Sequence, residues 1–257
     1  MNLAVRTLGS GPDLVMLHGW GMHAGALEPL AAMLSGKYRV TCIDLPGHGG
    51  SVRQPWPDDP KSLASLLLAA APMRATWLGW SLGGLAAIQV ARDAPSRVAR
   101  LILLAATPCF TRRPDWPCAM SRSELERFAT QFAAAPDRML QRFGALQFRG
   151  VPDAVQGTRR LRELLGDCEP STAALVTGLR VLLDMDLREA LASCGLPAGV
   201  ILGGSDPLIP VDVADALIEF VPRVQVACIE DAGHAPFITH KNEVAAAVAA
   251  MMAGPLV

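Results

Sequence analysis

A chain of 257 residues, 51% of them hydrophobic and with a formal net charge of −1, can bury one large α/β domain with an insertion and carries no overall field toward nucleic acid or a membrane surface. No apolar run reaches the roughly 18 to 20 uncharged residues needed to cross a bilayer, and no secretory signal pattern opens the chain, so a soluble, cytoplasmic protein is expected. The six cysteines (Cys42, Cys109, Cys118, Cys168, Cys194 and Cys228) form no C-x-x-C pair and have no histidine at ligand spacing, which argues against a metal site or a disulfide frame and for reduced, mostly buried thiols.

Residues 1–12 read as a strand, with Leu3, Val5 and Thr7 alternating before the turn Gly9-Ser10-Gly11-Pro12. Residues 14–17 are a continuous apolar run, as expected of a strand covered on both faces, and lead into His18-Gly19-Trp20-Gly21. Residues 28–34 have helical spacing. A second buried strand, 38–43, ends in Asp44-Leu45-Pro46-Gly47-His48-Gly49. A helix over 57–70 precedes the apolar run 75–78, which delivers Gly79-Trp80-Ser81-Leu82-Gly83 and then a small-residue helix over 84–91. Residues 98–106 are again a strand.

From about Cys109 to Ser193 the apolar residues recur at three and four, strands disappear, and Pro136, Gly150-Val151-Pro152 and the stretch 166–170 separate short helices. Strands resume at 199–202 and 224–229, and 243–252 closes as a helix. The alternation predicts a mostly parallel sheet wound on both sides, with an α/β core in 1–108 and 194–257 and a helical cap inserted over 109–193. Every glycine-rich motif falls at the carboxyl end of a strand, where such folds build their sites.

The pattern G-x-S-x-G between a strand and a helix describes a turn too sharp for bulky neighbours, which pushes a serine hydroxyl out of the packed layer. Ser81 is therefore the expected nucleophile. The amide of Leu82, at the positive end of the following helix, is one expected oxyanion donor, and the amide of Trp20 is the other. A serine nucleophile needs a base and an acid to hold that base. Strand 199–202 runs into Gly203-Gly204-Ser205-Asp206-Pro207, and strand 224–229 into Asp231-Ala232-Gly233-His234. Asp206 is expected as the acid and His234, 28 residues later, as the base, in the chain order of α/β-hydrolases. His18 is expected to brace the oxyanion loop, His48 to order its turn, His23 and His240 to lie outside the reaction, and Asp44 to be structural. Trp20 and Trp80 are expected to wall the pocket.

Taken together, His18-Gly-Trp-Gly, Asp44-Leu-Pro-Gly-His-Gly, Gly79-Trp-Ser-Leu-Gly-Gly84 and Gly233-His-Ala-Pro-Phe237 resemble the α/β-hydrolase esterases of biotin synthesis, which act on the methyl ester of pimeloyl-acyl-carrier protein. The resemblance spans 14–252 and extends into the cap through Asp115-Trp116-Pro117, Phe128 and the stretch 138–147; the stretch 148–160 matches only loosely. It implies an α/β-hydrolase fold, a serine carboxylesterase without cofactor or metal, and a substrate channel lined by Trp20, Trp80, Leu82, Phe128, Phe143 and Gln147. It also implies an acyl-carrier protein as partner, with small esters as further substrates, and carrier contacts at Arg138, Arg142 and Arg159. Residues 138–162 hold six arginines and one acid, Asp153, a strip of +5 suited to an acidic carrier. Alternatives on the same scaffold are a broad short-chain esterase, a C–C bond hydrolase or lyase, and a non-catalytic ligand-binding relative, which only turnover excludes.

Overall fold

A computed structural model describes residues 2–221 and 223–254. Seven strands, β1 (Val5–Leu8), β2 (Asp13–Leu17), β3 (Arg39–Ile43), β4 (Ala75–Trp80), β5 (Val98–Leu104), β6 (Ala198–Gly203) and β7 (Gln225–Ile229), form one sheet in the order β1-β3-β2-β4-β5-β6-β7. All neighbouring pairs are parallel except β1 with β3, which are antiparallel. The core helices are α1 (Glu28–Leu34), α2 (Pro60–Ala70) and α3 (Leu82–Asp93), followed by the cap helices α4 (Arg122–Ala134), α5 (Pro136–Leu146), α6 (Ala154–Leu165) and α7 (Thr172–Asp184). The chain then returns through α8 (Arg188–Ser193), which packs on α3, and finishes with α9 (Val213–Phe220), α10 (Pro236–Thr239) and α11 (Lys241–Ala253).

The apolar runs read from the sequence are the central strands. All six residues of β4 are buried, because helices cover both faces and leave no side on which a polar residue could be solvated. α3, which follows it, is buried from Leu82 through Ala91, and its small residues let it lie close to the sheet. α2 starts where Asp59 accepts a hydrogen bond from the amide of Ser62 and Pro60 occupies the first turn.

The cap leaves and rejoins the core at one place. The guanidinium of Arg188 donates to Asp186 at 2.7 Å, pairs with Asp115 at 3.0 Å, and lies 5.4 Å over the ring of Trp116 and 5.9 Å over that of Phe220.

Some expectations need correction. The first strand is confined to Val5–Leu8 and runs antiparallel at the sheet edge, a direction that alternation alone does not encode. The strand expected over 98–106 stops at Leu104, because Ala105 turns out of it at φ 43°. α9 was not read, since only Val213 and Leu217 of its residues are fully buried and the apolar spacing spans a single turn. All six thiols are free, but only Cys42 and Cys109 are buried; Cys118 and Cys194 are half-buried, and Cys168 and Cys228 are exposed.

Candidate active site

β4 ends between β2 and β5, and the turn after it sets Ser81 at φ 53°, ψ −119°. A non-glycine residue at positive φ stores about 1–3 kcal/mol of strain and persists only where its surroundings fix it. Here the amide of Ser81 donates to the carbonyl of Leu104 at 3.0 Å, and its own carbonyl accepts from Gly84 at 2.8 Å. The flanking glycines are needed for closeness. A Cβ on Gly79 would stand 2.2 Å from the carbonyl oxygen of Gly83, and one on Gly83 would stand 2.6 Å from that of Leu17.

Three loops far apart in the chain converge on this turn. The Oγ of Ser81 lies 2.9 Å from Nε2 of His234, and Nδ1 of His234 lies 2.8 Å from Oδ2 of Asp206. A carboxylate can only accept, so Nδ1 carries the proton and Nε2 is left free to accept from the hydroxyl. The other carboxylate oxygen accepts from the amides of Leu208 at 2.8 Å and Ile209 at 3.1 Å, which fixes the plane of the acid. His234 is wholly buried and held from two sides: its amide donates to the carbonyl of Gln147 at 2.9 Å, and its carbonyl accepts from the indole of Trp80 at 2.8 Å. The hydroxyl, imidazole and carboxylate thus form one hydrogen-bonded path.

Beside Ser81 lies the loop that follows β2. A Cβ on Gly19 would stand 3.2 Å from Cβ of Ser81, so this loop touches the serine directly. The amides of Trp20 and Leu82, the two expected oxyanion donors, have no acceptor among the described residues. His18 fixes the first of them. Its Nε2 accepts from the amide of Leu45 at 2.9 Å, so Nδ1 bears the proton and donates to the carbonyl of Gly19 at 2.8 Å. That carbonyl and the amide of Trp20 belong to one trans peptide and point opposite ways, so pinning the oxygen aims the N–H. Burial holds the pKa of His18 well below the ordinary histidine value, with His48 adding to the effect, which keeps the ring in the neutral form this arrangement requires.

Residues 14–247 match the alpha/beta hydrolase family. The chain belongs to that family. This hydrolase is 41% identical to the pimeloyl-(acyl-carrier protein) methyl ester esterase of Methylococcus capsulatus over 95% of the chain and 96% of the relative. Its identity to the protein of the same name in Chromobacterium violaceum is 39%, over 97% of each. Among solved structures, an esterase from Exiguobacterium antarcticum superposes with a TM-score of 0.85 at 24% identity, covering 98% of this chain and 96% of that one. The enol-lactonase of Burkholderia xenovorans LB400 superposes at 0.82 with 20% identity, covering 98% and 96%. Near-full-length similarity to curated esterases makes this hydrolase a carboxylic ester hydrolase.

The cap helices of the hydrolase close on Trp20. Its indole donates to the carbonyl of Leu175 in α7 at 2.8 Å, and its ring meets Phe128, Phe132 and Phe143 edge-on at 5.6, 5.4 and 5.0 Å. Phe132 was missed by the sequence reading, although it follows Phe128 by one helical turn. Trp20, Phe128, Phe143, Leu179 and Leu182 line a cavity of about 290 Å³. A larger cavity of about 500 Å³, around Arg100, Pro197 and Arg223, lies at the amino ends of the strands, away from every residue of the path.

Of the residues expected to line the channel, Trp80, Leu82 and Gln147 are not in the wall of the smaller cavity: the ring of Trp80 backs His234 at 6.0 Å and packs edge-on against Phe237 at 4.7 Å, and Leu82 lines a separate cavity beside Trp56 and Leu85. Gln147 is fully buried, and neither its Oε1 nor its Nε2 has a partner among the described residues.

The remaining sequence candidates fall as follows. Asp44 accepts from the amides of Ala24 and Gly50 at 2.7 and 2.8 Å and so ties two loops together. His48 donates to the carbonyl of Pro46 at 2.9 Å within its turn, His23 donates to the carbonyl of Leu165 at 2.9 Å, and His240 contacts Thr239. Arg138, Arg142 and Arg159 are exposed. Arg159 and Arg160 pair with Glu163 at 2.9 and 3.3 Å, so the basic strip is weaker than its count: one residue beyond the window, Glu163 brings it to six arginines against two acids, +4. Among the described residues, no group of three or more His, Cys, Asp or Glu is arranged to hold a metal.

Proposed function

We propose that this hydrolase cleaves the methyl ester of a pimeloyl chain carried on acyl-carrier protein, in biotin synthesis in the cytoplasm, and that its helical cap, 109–193, receives the chain over the α/β core. The observation that carries the reading is the buried path from Asp206 through His234 to Ser81, with an aromatic-lined cavity that reaches Trp20 and Leu208 beside it, in a chain 41% identical to an esterase of that name.

Ser81 attacks the ester carbonyl as its proton passes to Nε2 of His234, and Asp206 stabilises the imidazolium while holding its tautomer. The amides of Trp20 and Leu82 receive the tetrahedral oxyanion, aided by the positive end of α3. His234 then protonates the departing methanol. Water, deprotonated by the same imidazole, attacks the acyl-enzyme and releases the free ω-carboxylate, after which Ser81 regains its proton.

The apolar groups of Trp20, Phe128 and Phe143 suit a methylene chain, while Leu82 serves through its amide. Trp80 serves by holding His234. Arg138 and Arg142 meet the carrier with their charge uncommitted, while Arg159 shares its charge with Glu163.

Growth without biotin in a bacterial strain lacking its own methyl ester esterase tests the reading. The wild-type gene restores growth and Ser81→Ala does not. A wild type that fails to restore growth, yet hydrolyses p-nitrophenyl esters, would leave a general short-chain esterase.

A further inference from the structure

Among the described residues, His234 is the one member of the hydrogen-bonded path with a hydrogen bond to the cap: its amide donates to the carbonyl of Gln147, the residue that ends α5, at 2.9 Å. A carbonyl at the end of a helix has no partner within the helix, so this bond satisfies a group that needs an outside donor. A Cβ on Gly233 would stand 2.5 Å from the same carbonyl oxygen and 2.9 Å from Cγ2 of Val151. The cap turn 147–151 therefore rests directly on the loop of His234.

The carbonyl of Gln147 and the amide of Phe148 belong to one rigid peptide unit, so whatever moves the backbone of Phe148 also turns the acceptor that holds His234. Phe148 is wholly buried and wedged against α6: a Cβ on Gly157 would stand 2.5, 2.8 and 3.0 Å from Cδ1, Cε1 and Cγ of its ring. α6 in turn packs on α5, which precedes the turn, and on α10, which follows His234. A continuous run of contacts thus leads from the middle of the cap to the imidazole.

Resting on the role proposed above for His234 as the base, we infer that Phe148 is a positioning residue: held between Gly157 and the peptide of Gln147, it sets the distance from Nε2 of His234 to the hydroxyl of Ser81. Phe148 is not in the wall of the cavity around Trp20, Phe128 and Phe143, and it acts through the main chain of Gln147. The seating of the cap is thereby a condition for proton transfer as well as for choice of substrate.

The test is Gly157→Ala, read on p-nitrophenyl acetate, an ester too short to need the acyl cavity. Alanine is the better helix former, so α6 itself gains. Its methyl cannot share space with a ring that has no exposed edge, and the turn must shift. The expected result is a kcat about tenfold to a hundredfold lower with KM hardly changed. The far-downfield proton resonance of Nδ1 of His234, which reports its bond to Asp206, should move or broaden in the same variant. Phe148→Leu makes room for the methyl, so Gly157→Ala/Phe148→Leu should exceed Gly157→Ala in kcat by about threefold or more. Gly144→Ala, on α5, where an added Cβ meets nothing within 4 Å, should change neither readout. An unchanged kcat in Gly157→Ala, or a loss with an unaltered resonance, would overturn the inference. Should that variant not fold, Phe148→Leu alone decides: it slackens the turn and should lower kcat, and an unchanged kcat and resonance would overturn the inference equally. His234→Ala keeps the two readings apart. Full activity in it removes the proposed mechanism, whereas its inactivity beside a fully active Gly157→Ala removes only the role of Phe148.

Discussion

His18 makes two hydrogen bonds that can be removed one at a time. An asparagine there places its amide nitrogen where Nδ1 stands and can still donate to the carbonyl of Gly19, but it cannot reach Leu45. A glutamine places its oxygen near the position of Nε2 and can still accept from Leu45, but it offers nothing to Gly19. Because Leu45 is fully buried, His18→Asn leaves one buried N–H unpaired and should lower stability by about 1–3 kcal/mol. His18→Gln keeps that bond and leaves the carbonyl of Gly19 with only its longer bond from Met22, at 3.3 Å.

The peptide that presents the Trp20 amide can then rock. The loss in kcat is bounded by removal of one oxyanion donor, about 10² to 10³, so a fall of about tenfold to a hundredfold is expected. KM should hardly move, since the interaction matters only in the transition state. The assay is kcat and KM on a p-nitrophenyl ester, read beside thermal melts of the same samples. Asparagine should be the less stable and more active variant, glutamine the more stable and less active one. Equal kcat in the two, or activity that merely tracks the folded fraction, would refute the link between His18 and the aim of the Trp20 amide.

Asp206→Asn should keep the fold and lower kcat by about 10⁴, because an amide in that place favours the wrong imidazole tautomer; steady-state kinetics on a small ester checks it. Gly79→Ala places a methyl 2.2 Å from a main-chain oxygen that cannot swing away, and should cost about 3 kcal/mol or more in a denaturant titration. Burial lowers the pKa of both His18 and His48, so the unfolded chain binds protons that the folded chain refuses. Stability should be complete above about pH 6.5 and fall as the pH drops below it, by up to about 1.4 kcal/mol per pH unit for each histidine, and a flat profile from pH 7.5 to 5.5 would contradict this. A thiol reagent at pH 8 should modify Cys168 and Cys228 in the native protein, while Cys42, its thiol pushed up to about 12 by burial, reacts only after unfolding.

The positions of Ser81 and Asp206 were legible because each follows a run that can only be a covered strand, that of His234 because it follows the next apolar run, and all three because glycines mark the turns that release them. The same logic gave the parallel core. What stayed hidden depended on partners outside the window being read. The charge count over 138–162 stopped one residue short of Glu163, which pairs with two of its arginines by helical proximity and cancels one unit of charge. Trp80 looked like a pocket wall from its place beside the serine, but a residue on the last step of a fully covered strand points into the layer, where its indole supports His234. Cys228 was expected inside, yet β7 is an edge strand with only one neighbour, none of its residues is fully buried, and Gln225 and Cys228 face solvent. The isolation of the Gln147 amide is a property of three-dimensional surroundings that composition does not carry.

Trp20 serves two masters: its main-chain amide is the one proposed above to receive the oxyanion, while its ring is gripped by α4, α5 and α7. Whatever tilts the lid, be it a bulky acyl tail, a docked partner or an engineered loop, therefore tugs on the machinery below. In such an enzyme, selectivity and speed are not separately adjustable, and redesign of the roof for a new substrate will show up first as altered turnover.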